Sequence, residues 1–136
     1  MPMITVQIAG EPDVGLAGEV QRAIGSLTAK LLGKDPNVTA VAIEFVPRRL
    51  WFIAGRSTEE LGKSAFFVDV RISDGTNSKD EKARYIAETF ASLSRLLGGA
   101  HAESYVHVND VRADAYGYGG LTQERRYIQG RPAPAA

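Results

Sequence analysis

The residue with the most distinctive chemistry stands second in the chain, as Pro2. Removal of Met1 converts its backbone nitrogen into a secondary amine, a one-proton acid–base group at the start of a predicted strand. An apolar pocket or a nearby cation disfavours the charged form of such an amine. Either effect moves the pKa of the amine toward neutrality, where a general base works best. Many proteins begin Met-Pro without such a role, so the dipeptide alone favours an ordinary terminus.

Four further side chains are candidates for binding an oxygen-rich ligand. Lys34 follows a glycine that ends a predicted helix, and Arg71 lies late in a strand between apolar neighbours. Either can hold a carboxylate, and arginine can do so bidentately. Tyr105 and His107 stand two apart on one strand, so they share a face and can donate hydrogen bonds to a developing enolate oxygen. The alternative is a solvated charge for the basic residues, and an edge tyrosine and surface histidine for the other two.

Composition excludes several classes of function. The chain has 136 residues, no cysteine and a formal net charge of zero, so thiolate chemistry is absent and a nucleic-acid partner is not expected. Two histidines without clustered carboxylates predict no metal site, and no cofactor motif is present. No apolar run is long enough to span a membrane, and no signal-peptide pattern opens the chain, so a cytoplasmic protein is expected.

The first half of the chain alternates strand and helix patterns. Residues Met3–Ala9 alternate apolar and polar side chains, which predicts a strand. Apolar residues at spacings of three and four predict a helix over Val14–Leu32, ended by Gly33. A strand over 38–46 and a short strand over 50–54 follow.

The second half repeats this order. A strand is predicted over 65–72, and Ser78 with Glu81 forms a capping-box pattern that opens a helix. That helix turns Tyr85 or Ile86 toward the core. A strand over Tyr105–Val111 and a short strand over 115–118 complete the half.

Matches between the halves indicate a duplicated unit. The segment 30–33 (KLLG) corresponds to 95–98 (RLLG), and Trp51 corresponds to Tyr116, both at an offset of 65 residues. We therefore predict an α+β fold in which tandem β-α-β repeats, 2–57 and 65–120, form a four-stranded mixed sheet with two helices on one face. One domain spans 1–130, and 131–136 is expected to be a mobile tail. Apolar residues on both sides of the strands predict self-association through the uncovered sheet face.

The order of several short motifs resembles the tautomerase superfamily, which includes 4-oxalocrotonate tautomerase, malonate semialdehyde decarboxylase and macrophage migration inhibitory factor. The similarity covers roughly residues 2–120. It is carried by an ordered set of segments: the start MPMI, GKDP at 33–36, AV at 40–41, LWFIAGRS at 50–57, YVHVNDV at 105–111 and YGY at 116–118.

The resemblance implies a homotrimer with active sites between subunits, no cofactor, and a small carboxylate-bearing 2-keto acid as substrate. It implies Pro2 as the general base or acid that moves a proton between carbon and oxygen. Lys34 falls at the family's lysine, Tyr105 at a tyrosine from the neighbouring subunit, and Trp51 near the pocket aromatic. His107 stands where the macrophage factor has asparagine.

Departures from the family pattern bear on the reaction. The paired arginines of the decarboxylase and dehalogenase relatives are represented only by Arg71, which disfavours those two activities. A cofactor-free keto–enol tautomerase is therefore the principal hypothesis. The alternatives are a related decarboxylase or hydratase that uses Pro2, and a non-enzymatic oligomeric binding protein of the same fold.

Overall fold

The computed structural model describes residues 2–130, so the predicted tail at 131–136 lies outside the described residues. The helices and strands, in chain order, are β1 (Met3–Ala9), α1 (Val14–Leu32), β2 (Ala40–Val46), β3 (Phe52–Ile53), β4 (Arg56–Ser57), α2 (Thr58–Leu61), β5 (Phe66–Ser73), α3 (Lys79–Leu96), β6 (Tyr105–Val111), β7 (Gly117–Tyr118), β8 (Leu121–Thr122) and α4 (Gln123–Gly130). Within this part of the chain no helix is both long and apolar enough to cross a membrane.

The ends of the two long helices follow from local sequence. Asp13 caps α1, with its Oδ1 accepting the Leu16 N–H at 3.0 Å, and Gly33 ends it at a φ of 68° that favours glycine. Ser78 and Glu81 make the predicted capping box at the start of α3. The predicted bounds of α1 and the predicted start of α3 are confirmed.

The sheet joins the two repeats through their first strands. Its order is β2-β1-β5-β6. The pairs β1–β2 and β5–β6 are parallel, as a helical crossover requires, whereas β1 and β5 are antiparallel. The predicted four-stranded mixed sheet is confirmed.

One face of the sheet forms the core with α1 and α3. Alternate residues of the two central strands are buried there, and the helices add residues such as Val20, Ile24 and Leu93. The buried apolar positions of the strands are Ile4, Val6, Ile8, Phe66, Val68, Val70 and Ile72.

The opposite sheet face is more polar than the sequence suggested. Because side chains alternate along a strand, Val6, Ile8 and Phe66 all lie on the helix side, which leaves Met3 and Phe67 among the apolar residues on the open side. The open-face residues of β1, β5 and β6 are otherwise mainly polar: Thr5, Gln7, Asp69, Arg71, Ser73, His107 and Asn109. Of the apolar strand residues on which the expected self-association rested, Met3 and Phe67 lie on the open face, so the apolar surface there is smaller than expected.

The short elements were the least predictable. The second strand begins at Ala40, after a 3₁₀ turn at Pro36–Val38. The segments 50–54 and 115–118 each contain a two-residue strand that follows the end of a 3₁₀ turn. Pairing with β4 and with β8 holds those two-residue strands in place. Elements of two to four residues are too short to show a period.

A buried hydrogen bond joins the two long helices. The hydroxyl groups of Thr28 on α1 and Tyr85 on α3 lie 2.9 Å apart, and Thr28 also donates to the Ile24 carbonyl at 2.7 Å. Tyr85 is fully buried while Ile86 is 38% exposed, so Tyr85 is the inward residue of the two that the pattern allowed. Burial raises the pKa of the Tyr85 hydroxyl.

Tyr85→Phe is expected to lower the free energy of unfolding by about 1 kcal/mol, because it removes the buried hydroxyl that bonds to Thr28. Urea unfolding followed by circular dichroism measures the change. Tyr118→Phe, at a tyrosine that is 40% exposed and whose hydroxyl makes no hydrogen bond within residues 2–130, serves as the control and should change stability by less than about 0.5 kcal/mol. Equal losses in the two variants would contradict the assignment.

Candidate active site

Pro2 lies buried at the end of the sheet, in the wall of an open cavity of about 630 Å³. Its carbonyl accepts the Ala40 N–H at 3.0 Å, which fixes it against the start of β2. Arg71 lines the same cavity because Met3 and Arg71 pair in the antiparallel β1–β5 ladder. The sheet pairing therefore brings together two of the residues that the sequence singled out.

Tyr116 completes this end of the sheet, and the sequence reasoning did not assign it a role in the site. Its hydroxyl accepts the Met3 N–H at 2.9 Å and donates to the Arg71 carbonyl at 3.1 Å. The ring also lines the Pro2 cavity. The internal repeat could have identified Tyr116 as a site residue. Tyr116 is the counterpart of Trp51, and the family resemblance places Trp51 near the pocket aromatic.

Arg71 and His107 meet through a third residue that the sequence reasoning missed. Asp69 Oδ2 lies 3.2 Å from Arg71 Nη2, and Asp69 Oδ1 lies 3.7 Å from His107 Nδ1. The three side chains share the open sheet face, because Asp69 and Arg71 are two apart on β5 and His107 is the β6 partner of Asp69. The alternating pattern of a strand predicts the sheet face on which Asp69 lies, but it does not predict which side chains of that face Asp69 contacts.

Lys34 lies beside the cavity rather than in its wall. Its Nζ donates to Thr76 Oγ1 at 2.9 Å, and Thr76 lines a neighbouring cavity of about 660 Å³ that shares Val38 and Tyr118 with the Pro2 cavity. Burial lowers the pKa of Lys34, opposed by the negative charges of Glu81 and Asp110.

Trp51 and Tyr105 lie together at the other end of the same sheet, with Phe67 and Glu103, around an open cavity of about 570 Å³. Phe67 is four residues from Arg71 on β5, a separation of about 13 Å along the strand. Within one chain these aromatic residues do not face Pro2. The Tyr105 hydroxyl donates to the Glu103 carboxylate at 2.5 Å, and this bond raises the pKa of Tyr105.

The two cavities are counterparts in the two repeats. Met3 pairs with Ala40 beside the first, and Phe67 pairs with Tyr105 beside the second. Tyr116 lines the first where Trp51 lines the second. Of the two, the first is the one that Pro2 lines. Among residues 2–130 no group of three or more His, Cys, Asp and Glu side chains is arranged to hold a metal ion.

Comparison with known proteins identifies the fold. No protein-family model and no curated protein sequence matches the chain, whereas solved structures do. A symmetric trimer of fused 4-OT has 18% sequence identity and a TM-score of 0.79, covering 95% of this chain and 99% of that chain. Pt0534 inactivated by 2-oxo-3-pentynoate has 14% identity and a TM-score of 0.78, covering 90% and 98%.

Macrophage migration inhibitory factor from Toxoplasma gondii has 15% identity and a TM-score of 0.72, with coverage of 88% of this chain and 98% of that chain. The fold of the chain is therefore the one that these structures share. The tautomerase-like fold expected from the sequence is confirmed.

Tyr116→Phe is expected to lower the free energy of unfolding by about 1–2 kcal/mol, because the Met3 N–H loses its acceptor at the end of the sheet. Denaturant unfolding measures the loss. Tyr118→Phe is the matched control, since Tyr118 lines the same cavity and its hydroxyl makes no hydrogen bond within residues 2–130. A control loss as large as that of Tyr116→Phe would argue against the bridging role.

Proposed function

We propose that the protein is a cofactor-free keto–enol tautomerase of the tautomerase superfamily, acting on a small 2-oxo acid with Pro2 as general base and acid. The observation that supports this most directly is the position of Pro2, buried in the wall of an open cavity that Arg71 also lines. Such a cavity has room for a small carboxylate-bearing ligand. The shared fold with fused 4-OT and with the macrophage factor is consistent with the same class of reaction.

Each group has a distinct part in the proposed reaction. The Pro2 amine takes a proton from C3 of the 2-oxo acid, so that the C3–H bond breaks and an N–H bond forms. The electron pair makes the C2–C3 double bond, and the carbonyl becomes an enolate oxygen. The Pro2 ammonium then gives its proton to this oxygen, which yields the enol and restores the amine. The reverse sequence returns the keto acid. Arg71 binds the substrate carboxylate, and Lys34 adds positive charge beside it.

The surroundings of Pro2 favour the unprotonated amine. Pro2 is buried, and the cavity wall around it includes Met3, Val38 and the Tyr116 ring. Low-polarity surroundings disfavour an ammonium, and the charge of Arg71 acts in the same direction. A free amine at neutral pH is what a base that removes a carbon-bound proton requires.

Pro2→Ala is expected to reduce turnover of phenylenolpyruvate at least a hundred-fold while leaving the unfolding transition unchanged, since general-base catalysis contributes on that order. Ultraviolet absorbance follows the ketonisation, and intact mass establishes that Met1 has been removed from the wild type. Pro12→Ala, in the turn after β1, is the control and should retain full activity. Equal activity of Pro2→Ala and wild type would rule out the mechanism.

If the wild type lacks Met1 and is still inactive, the alternative functions, a decarboxylase, a hydratase or a binding protein, are tested next. Release of carbon dioxide from a 3-oxo acid would indicate a decarboxylase. Absence of turnover across a panel of keto acids would leave a binding protein.

The proposal includes a homotrimer in which the aromatic cavity of one subunit faces the Pro2 cavity of the next. In a single chain, Tyr105 and Phe52 are 59% and 61% exposed, and they lie with Trp51 at one end of the sheet. Exposed apolar clusters of this kind mark protein contacts. Fused 4-OT, which shares the fold at a TM-score of 0.79, is described as a trimer. Tyr105 and His107 would then approach the substrate from the neighbouring chain.

A subunit-mixing experiment tests this arrangement. Pro2→Ala and Tyr105→Ala are each expected to be nearly inactive alone. When equal amounts are unfolded together and refolded, about a quarter of the sites should regain both residues and therefore wild-type turnover. Two inactive variants that both alter Pro2 (Pro2→Ala and Pro2→Gly) form the control mixture. Failure of the first mixture to exceed the control would contradict a shared site.

A further inference from the structure

Asp69 is a largely buried carboxylate on the sheet face that the helices leave open. Its side chain is 16% exposed, compared with 47% for Arg71 and 58% for His107. It lies on a central strand, paired with Thr5 on one side and His107 on the other. Burial therefore restricts the Asp69 side chain more than that of Arg71 or His107.

The two oxygens of Asp69 face different partners. Oδ2 lies 3.2 Å from Arg71 Nη2, and Oδ1 lies 3.7 Å from His107 Nδ1. Oδ1 is buried and accepts no hydrogen bond from residues 2–130. A carboxylate held in this way costs free energy unless its charge is compensated, and the nearest charge that is always present is that of Arg71.

Arg71 gains a defined orientation from this contact. A half-exposed arginine on a strand samples many rotamers, and fixing it costs conformational entropy. The ion pair with Asp69 restricts the guanidinium on one side. Its remaining nitrogens are the groups that can bind a ligand in the Pro2 cavity, which Arg71 lines.

We propose that Asp69 is a positioning residue that holds the Arg71 guanidinium at the Pro2 cavity in the orientation that receives a substrate carboxylate. The assignment rests on the proposed function for its kinetic consequence, although the orientation itself is independent of any reaction. Small displacements of a substrate-binding group have large effects on binding and rate, which gives a residue outside the chemistry a measurable role.

Orientation and charge act in opposite directions here. A carboxylate beside Arg71 also repels an anionic substrate, so removing it would strengthen binding if charge alone mattered. Asp69→Asn removes the charge but keeps an oxygen that can accept from Arg71, whereas Asp69→Ala removes both. The two variants therefore separate the positioning role from a purely electrostatic one.

The kinetic test measures phenylenolpyruvate turnover by wild type, Asp69→Ala and Asp69→Asn. Positioning predicts that Asp69→Ala raises KM on the order of ten-fold with kcat within about two-fold, and that Asp69→Asn stays near the wild type. Glu44→Ala is the control, because Glu44 is on the same open face but bonds to Gln7. A lower KM in both Asp69 variants would overturn the proposal.

A second readout does not depend on catalysis. Nitrogen-15 relaxation of the Arg71 side-chain Nε–Hε group, assigned with Arg71→Lys, should show restricted motion in the wild type and in Asp69→Asn. In Asp69→Ala it should become as mobile as that of Arg22, which is exposed and has no ion pair within residues 2–130. Equal mobility of Arg71 in wild type and Asp69→Ala would overturn the proposal even if turnover were absent. Inactivity of the wild type with a restricted Arg71 would count against the proposed function alone.

Discussion

The antiparallel pairing of β1 with β5 is the constraint on which the rest of the molecule depends. It joins the first strands of the two repeats and merges two parallel β-α-β units into one sheet with one core. Because its register sets Met3 opposite Arg71, it also brings the start of the chain to a cation contributed by the second repeat. A shift of one residue would turn Arg71 toward the helices and bury an unpaired charge.

The duplication gives two similar cavities, and they differ in that Pro2 lines the first and not the second. In the first strands of the repeats the offset is 64 residues, so the counterpart of Pro2 is Phe66. Phe66 is fully buried, and its ring centroid is 5.5 Å from that of Phe90, as expected of an internal strand residue. An internal position can supply only an amide nitrogen, whereas a processed terminus can supply an amine. In the proposed reaction, proline chemistry is therefore confined to the first of the two cavities.

Periodicity predicted the long elements, because a helix of eighteen residues and a strand of seven repeat their pattern several times. Pro2 and Arg71 were candidates because of their chemistry and their places in the sequence, and periodicity did not identify them. It could not predict that Asp69 joins Arg71 to His107, since the contact depends on the register of β5 against β6. The same holds for α4, whose eight residues follow a two-residue strand. Periodicity describes the pattern within one helix or strand, and it does not predict the contacts between different elements.

Tyr116 shows how the fold fixes the start of β1. The first residues of a chain usually fray, because few hydrogen bonds hold them. Here the Met3 N–H donates to the Tyr116 hydroxyl, and the Pro2 carbonyl accepts from Ala40. Both bonds use backbone groups other than the Pro2 nitrogen. The start of β1 is thus fixed from both sides by bonds that do not use the Pro2 nitrogen. In the proposed mechanism, precise placement and basicity therefore do not compete for the same group.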